Sequence, residues 1–171
     1  MNEQPLVSVI VTTKNEEKNI ENCFESILEQ SYPCDKIEII VVDNNSTDRT
    51  KEIVRTFKQS VLKLYKLSNF QLFNWGLERS AQRNFGAKKA QGKYYLYLDA
   101  DMILSSEIIQ ESVNKLEKDD NLIALYIPEI ITGDRFWSKV RRFERSFYNA
   151  TVIDCVRFVR IKDFLAVNGF D

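Results

Sequence analysis

No histidine occurs in the 171 residues, which removes the commonest general base and the commonest transition-metal ligand. Any metal held by such a chain is a hard cation bound through oxygen. Cysteine is scarce: Cys23, Cys34 and Cys155 are odd in number, widely spaced and form no C-x-x-C pair. That pattern excludes a disulfide framework and a zinc knuckle, and it fits free thiols in a reducing compartment. No apolar run approaches the roughly 20 residues that a bilayer span requires. The opening MNEQPLVSV lacks the basic region and long apolar stretch of a signal peptide. The expected setting is the cytoplasm, or the cytoplasmic face of a membrane. With 24 basic residues against 25 acidic ones there is no global field to gather nucleic acid, and no such partner is expected.

What is present is an ordinary globular composition, 44% apolar and 29% charged, in a length suited to one domain over residues 1–171. Apolar runs alternate with helical periodicities. VSVIV at 7–11 and IEIIVV at 37–42 predict buried strands, and YLYL at 95–98 ends a further one that begins at Tyr94. Between them, Ile20, Phe24, Ile27 and Leu28 predict a helix that Asn15 would cap, with Glu16 and Glu17 at its positive end. Ser46, Thr47 and Asp48 would start a second helix through Ile53, Val54 and Phe57. VLKLYKL at 61–67 alternates like a half-exposed strand, 79–90 reads as a helix, and Ser105 would cap a helix bearing Ile108, Ile109, Val113 and Leu116. Strands alternating with helices predict an α/β fold, a largely parallel sheet covered on both faces.

Three of these strands end in polar clusters: Thr12-Thr13-Lys14-Asn15-Glu16, Asp43-Asn44-Asn45-Ser46 and Asp99-Ala100-Asp101. Open α/β sheets bind ligands outside the carboxyl ends of their strands, so neighbouring strands would bring the clusters to one rim. In an extended segment Asp99 and Asp101 point the same way, a spacing that allows both to converge on Mg²⁺ or Mn²⁺. A cation bridging a diphosphate is the simplest reason to keep two carboxylates so close. The same pattern also occurs as solvated turn residues or helix caps.

Four segments in order, VSVIVTTKNEEKNI at 7–20, IIVVDNNSTDRT at 39–50, RSAQRNFGAKKAQGKYYLYLDADM at 79–102 and FLAVNGFD at 164–171, resemble the inverting glycosyltransferases of family 2. The resemblance implies the GT-A fold, a Rossmann-like three-layer α/β/α sandwich, and a nucleotide-diphosphate sugar of the UDP, GDP or dTDP type as donor. By that likeness Thr12, Thr13 and Glu16 border the nucleoside with Asp43 and Asn44, the latter standing where many relatives carry a second acid. Asp99 would contact ribose or sugar, and Asp101 would ligate Mn²⁺ or Mg²⁺. Arg83 or Arg79 would reach donor phosphate or sugar, or else cover the sheet with its aliphatic stem. Asn84, Gly86 and Gly92 would serve helix-to-strand packing. The acceptor implied is a glycan or lipid-linked hydroxyl, in glycan or glycolipid assembly.

In that family a Glu-Asp pair soon after the segment resembling NGFD supplies the proton acceptor, and this sequence ends at Asp171 with Asn168 where many relatives have glycine. The expectation is therefore an N-terminal portion that binds donor and metal but transfers sugar poorly, with Glu129, Asp134 and Asp171 as conceivable substitutes for the base. A binding-only module is the alternative. A haloacid dehalogenase-type phosphatase shares the D-x-D pattern but leaves the other three segments unexplained. A dinucleotide oxidoreductase is disfavoured, because no G-x-G-x-x-G follows the first strand. Finally, DRFWSKVRRFERSFYNA at 134–150 places Phe136, Val140, Phe143 and Phe147 on one stripe flanked by Lys139, Arg141, Arg142 and Arg145. Two readings stand: a helix closing the sheet, or one making peripheral contact with an anionic membrane.

Overall fold

The apolar runs become the centre of one sheet. The computed structural model describes residues 3–76, 78–134, 136–145, 147 and 156–171. In chain order these form β1 (Val7–Thr13), α1 (Ile20–Leu28), β2 (Ile37–Asp43), α2 (Thr50–Leu64), β3 (Asn69–Asn74), α3 (Arg79–Lys89) and β4 (Tyr94–Asp99). There follow α4 (Ile108–Lys118), β5 (Ala124–Tyr126), α5 (Phe136–Arg145), β6 (Val156–Arg160) and α6 (Ile161–Ala166). The strand order is β3-β2-β1-β4-β6-β5, with β1 parallel to β2 and β4, β2 parallel to β3, and β6 antiparallel to both its neighbours.

Alternation along each strand sorts the core into two layers. Val7, Val9, Val11, Ile39, Val41, Leu96 and Leu98 pack with α1, α2 and α4 through Phe24, Val54 and Val113. Ile10, Ile40, Val42, Tyr95 and Tyr97 meet Ala87 of α3 and Phe164 of α6 on the opposite face. Helices thus cover both faces, the three-layer arrangement anticipated from the sequence.

Contact between α3 and β1 is close. A Cβ added at Gly86 would stand 2.6 Å from Ile10 Cγ2, and one at Gly92 would stand 2.7 Å from the backbone nitrogen of Ser8. Both glycines serve the tight packing read from the sequence. Asn84 does more than pack, because its side chain clamps the Phe170 backbone, donating to the carbonyl (2.7 Å) and accepting from the amide (2.9 Å). Asn168 adopts φ 64 and Gly169 φ 80, so the turn before Phe170 needs left-handed backbone, which asparagine tolerates best after glycine.

Three local expectations are corrected. VLKLYKL is mostly helix: Val61 extends the 3.6-residue spacing of Val54 and Phe57 on α2, whose last turn leaves Leu62 and Leu64 exposed, while β3 begins later at Asn69. Asn15 caps no helix; it sits at φ 56, and α1 opens only at Ile20. Ser105 likewise precedes α4, its carbonyl accepting from Gln30 Nε2 at 2.8 Å.

Candidate active site

Register brings the three polar clusters together. Thr12 lies opposite Asp99 across β1 and β4, and Thr13 lies opposite Asp43 across β1 and β2. At this rim a cavity of about 340 Å³ is lined by Thr12, Thr13, Glu16, Asn44, Asp99 and Asp101, all anticipated, together with Lys14, Glu78, Arg79, Gln82 and Ala100.

Asp99 is organised by the protein. Strand parity turns it toward the α3 face, where Arg83 Nη2 stands 2.9 Å from its Oδ1 and Arg79 Nη1 stands 3.6 Å from its Oδ2. The Thr12 hydroxyl donates to the same Oδ1 at 2.9 Å. Burial opposes the charge on Asp99, but the Arg83 guanidinium, the Thr12 hydroxyl and Arg79 outweigh it and hold the carboxyl below its ordinary range. Arg83 itself lies over the Tyr97 ring at 4.3 Å and does not line the cavity. It therefore steadies Asp99, and of the two arginines Arg79, which is largely exposed, is the one facing the cavity.

Asp101 behaves differently. The strand ends at Asp99, and the Met102 amide donates back to the Asp99 carbonyl at 3.0 Å, so the pair sits on a turn. The extended geometry expected of the pair is therefore replaced by a turn, and both residues line the same cavity. Asp101 is exposed, whereas Asp99 is largely enclosed. Among the described residues no group of three or more Cys, Asp or Glu side chains is placed to hold a metal by itself.

Asp43 is withheld from the cavity. Fully buried, it accepts from the Ser46 amide at 2.8 Å and from the Ser46 hydroxyl, and so closes the turn after β2. That turn is tied to the first loop: Asn15 N donates to Ser46 Oγ (2.8 Å), Asn15 Oδ1 accepts from Thr47 N (2.8 Å), and Glu16 N donates to Thr50 Oγ1 (2.8 Å). Gln82 stitches α3 to the same rim, donating to the carbonyls of Val42 (2.6 Å) and Thr13 (3.2 Å). Gln82 was missed because a glutamine within a helix carries no distinguishing sequence signal. The Thr13 hydroxyl is buried without a hydrogen-bond partner. Such a group costs about 1–3 kcal/mol unless something meets it.

None of the three substitute bases lines the cavity. Glu129 is held by Arg157 (Nε to Oε1, 2.7 Å), while Asp134 and Asp171 are exposed.

Comparison with known proteins gives this site its family. The profile of the family described as "Glycosyl transferase family 2" matches residues 8–167. Glycosyltransferase AglE of Haloferax volcanii is 32% identical over 114 residues, 66% of this chain and 36% of that protein. Poly(ribitol-phosphate) beta-N-acetylglucosaminyltransferase TarS of Staphylococcus aureus is 31% identical over 126 residues, 74% of this chain and 21% of its own. The chain thus spans about a third or less of the length of these two relatives. Among solved structures, mannosyltransferase PcManGT of Pyrobaculum calidifontis, in complex with GDP-Man and Mn²⁺, superposes with a TM-score of 0.76. It is 28% identical, with 99% of this chain and 48% of that chain covered. The phosphatase reading falls with these matches. By its profile and its fold, the chain belongs to glycosyl transferase family 2 and has the GT-A architecture.

Proposed function

We propose that the cavity binds a nucleotide-diphosphate sugar and that the protein transfers the sugar, with inversion and metal assistance, to a hydroxyl of a glycan or lipid-linked acceptor on the cytoplasmic side of a membrane. The observation that carries this reading is the polar cavity at the carboxyl ends of β1, β2 and β4, lined by Thr12, Glu16, Asn44, Asp99 and Asp101. A ligand rich in hydroxyl, amide and phosphate groups suits such a lining. GDP-Man in the PcManGT structure and UDP-GlcNAc in a TarS structure support a nucleotide-sugar donor.

The electrostatics favour a cation. With Asp99 paired to Arg83, the lining still sets Glu16, Glu78 and Asp101 against Lys14 and Arg79, so a diphosphate entering alone meets more negative charge than positive. With Asp99 engaged by Arg83, the exposed Asp101 is the residue that would hold Mn²⁺ or Mg²⁺, and phosphate oxygens suit the rest of such a hard ion's shell. When bound, the ion neutralises charge on the departing diphosphate. The chain's own residues bind and orient the donor. Thr13, Asn44 and Glu16 border the nucleoside, Asp99 receives a sugar or ribose hydroxyl, and Arg79, free to swing from its long contact with Asp99, meets phosphate. Asp43 acts at one remove by fixing the turn that carries Asn44. Preset geometry of this kind supplies much of the acceleration in group transfer.

Calorimetric titration with UDP-, GDP- and dTDP-sugars, with and without Mn²⁺, tests this. Metal-dependent binding of one of them is expected. No binding of any nucleotide sugar in either condition would sink the reading.

A further inference from the structure

The stripe of α5 does not close the sheet. Phe136, Trp137, Phe143 and Phe147 are 70%, 74%, 68% and 67% exposed, and Val140 is also in contact with water. Positions 136, 140 and 143 fall on one helical face, with Trp137 at its edge and Phe147 in the turn that follows α5. Phe136 packs edge-on against Trp137 (5.4 Å) and Phe143 against Phe147 (5.0 Å), so these aromatics stack on one another. Within 136–145 four basic residues stand against one acidic residue, in a chain whose net charge is -1. The exposed Lys139 and Arg141 flank the apolar face. Arg142 is engaged inward, donating to the carbonyls of Gly133 (2.7 Å) and Ile131 (3.2 Å), which fastens the helix to the segment before it. Residues 146 and 148–150 of the sequence stripe lie outside the described residues.

Topology says where this helix stands. Both β4 and β5 are antiparallel to β6, so they run the same way, and the chain leaving Tyr126 departs from the rim that carries Asp99. Glu129 confirms it: its partner Arg157 donates to the carbonyl of Tyr97, two residues before Asp99, at 3.4 Å. The segment feeding α5 therefore remains beside the cavity end of the sheet. No described helix is long and apolar enough to cross a membrane, so contact with lipid would be at its surface.

We propose that α5 lies in the headgroup region of an anionic lipid surface, aromatics inward and Lys139 and Arg141 on phosphate, which turns the donor cavity's rim toward the membrane. Aromatic residues on one face with basic flanks suit that interface. A second copy of the chain suits it poorly, because facing stripes would bring like-charged flanks together. The docking stands on α5 alone; the consequence that the acceptor hydroxyl is borne at the membrane surface rests on the transfer reading above.

The test is co-sedimentation of the intact protein with phosphatidylcholine vesicles with and without phosphatidylglycerol. Binding to the anionic vesicles only is expected, with a blue shift of Trp137 emission in a Trp75→Phe background. Lys139→Glu with Arg141→Glu lowers partitioning on the order of 25-fold, about fivefold for each basic residue removed. Phe143→Glu weakens it independently. Absence of binding, or equal binding to both vesicle types, overturns the proposal. So does a concentration-dependent dimer that Phe143→Glu dissociates, because the stripe then belongs to a second copy. Nucleotide-sugar titration of the same samples separates the two readings: intact donor binding without vesicle binding removes the docking only, and the converse removes only the donor reading.

Discussion

Asp99 and Arg83 form an enclosed ion pair, the guanidinium Nη2 2.9 Å from the carboxylate Oδ1, with 15% and 13% of the two side chains exposed. Arg83 also lies over the Tyr97 ring at 4.3 Å. The first aspartate of the D-x-D pattern is thus paired and aimed by the protein, and the second is left exposed to solvent.

Removing one partner of that pair leaves the other charged and poorly solvated. Arg83→Ala is expected to cost about 3 kcal/mol of folding stability. Combining it with Asp99→Asn should cost less than the sum of the two single changes. Urea unfolding of the three variants checks both statements.

The sign of the pH effect follows from the lowered pKa of Asp99. Its contribution to stability is complete above the ordinary carboxylate range and is lost as pH falls through the lowered value. The stability difference between the protein and Asp99→Asn should therefore be flat above about pH 5 and close in stronger acid. Acid unfolding followed by circular dichroism measures it.

Burial, reinforced by Asp101 and Asp99, pushes the Cys23 thiol up to about 12. Little thiolate is available at neutral pH, so Cys23 should resist alkylation until the protein unfolds, whereas the half-buried Cys34 reacts first. Timed alkylation read by peptide mass spectrometry distinguishes the two.

Gly86→Ala places a methyl group 2.6 Å from Ile10 Cγ2, on the central strand of the sheet. Neither α3 nor β1 yields easily, and a loss of about 1–3 kcal/mol is expected from thermal or urea unfolding.

Much of this architecture is written in local pattern. The runs at 7–11, 37–42 and 94–98 are buried strands because they are mostly apolar, with Ser8 and Glu38 the polar exceptions, and their polar ends meet because parallel register sets Thr12 against Asp99. The strand misread at 61–67 shows the limit: alternation in VLKLYKL mimics a strand, and only the surface on which Val61 packs decides for helix. The roles of Asp43 and Asp99 were equally hidden. Aspartate at a strand end can face a cavity or brace a turn, and the choice is made by Ser46 in one case and by α3 in the other. The stripe of α5 was visible at once, but its exposure was not, since an amphipathic pattern does not name its apolar partner.

The central claim is that Asp101 makes nucleotide-sugar binding metal-dependent. Asp101 is exposed, so Asp101→Asn should change stability by no more than about 0.5 kcal/mol. Titration of the best-bound nucleotide sugar into both proteins, with Mn²⁺ and after its chelation, tests the claim directly. The account predicts strong Mn²⁺ enhancement in the unaltered protein and none in Asp101→Asn; equal Mn²⁺ enhancement in the two would contradict it.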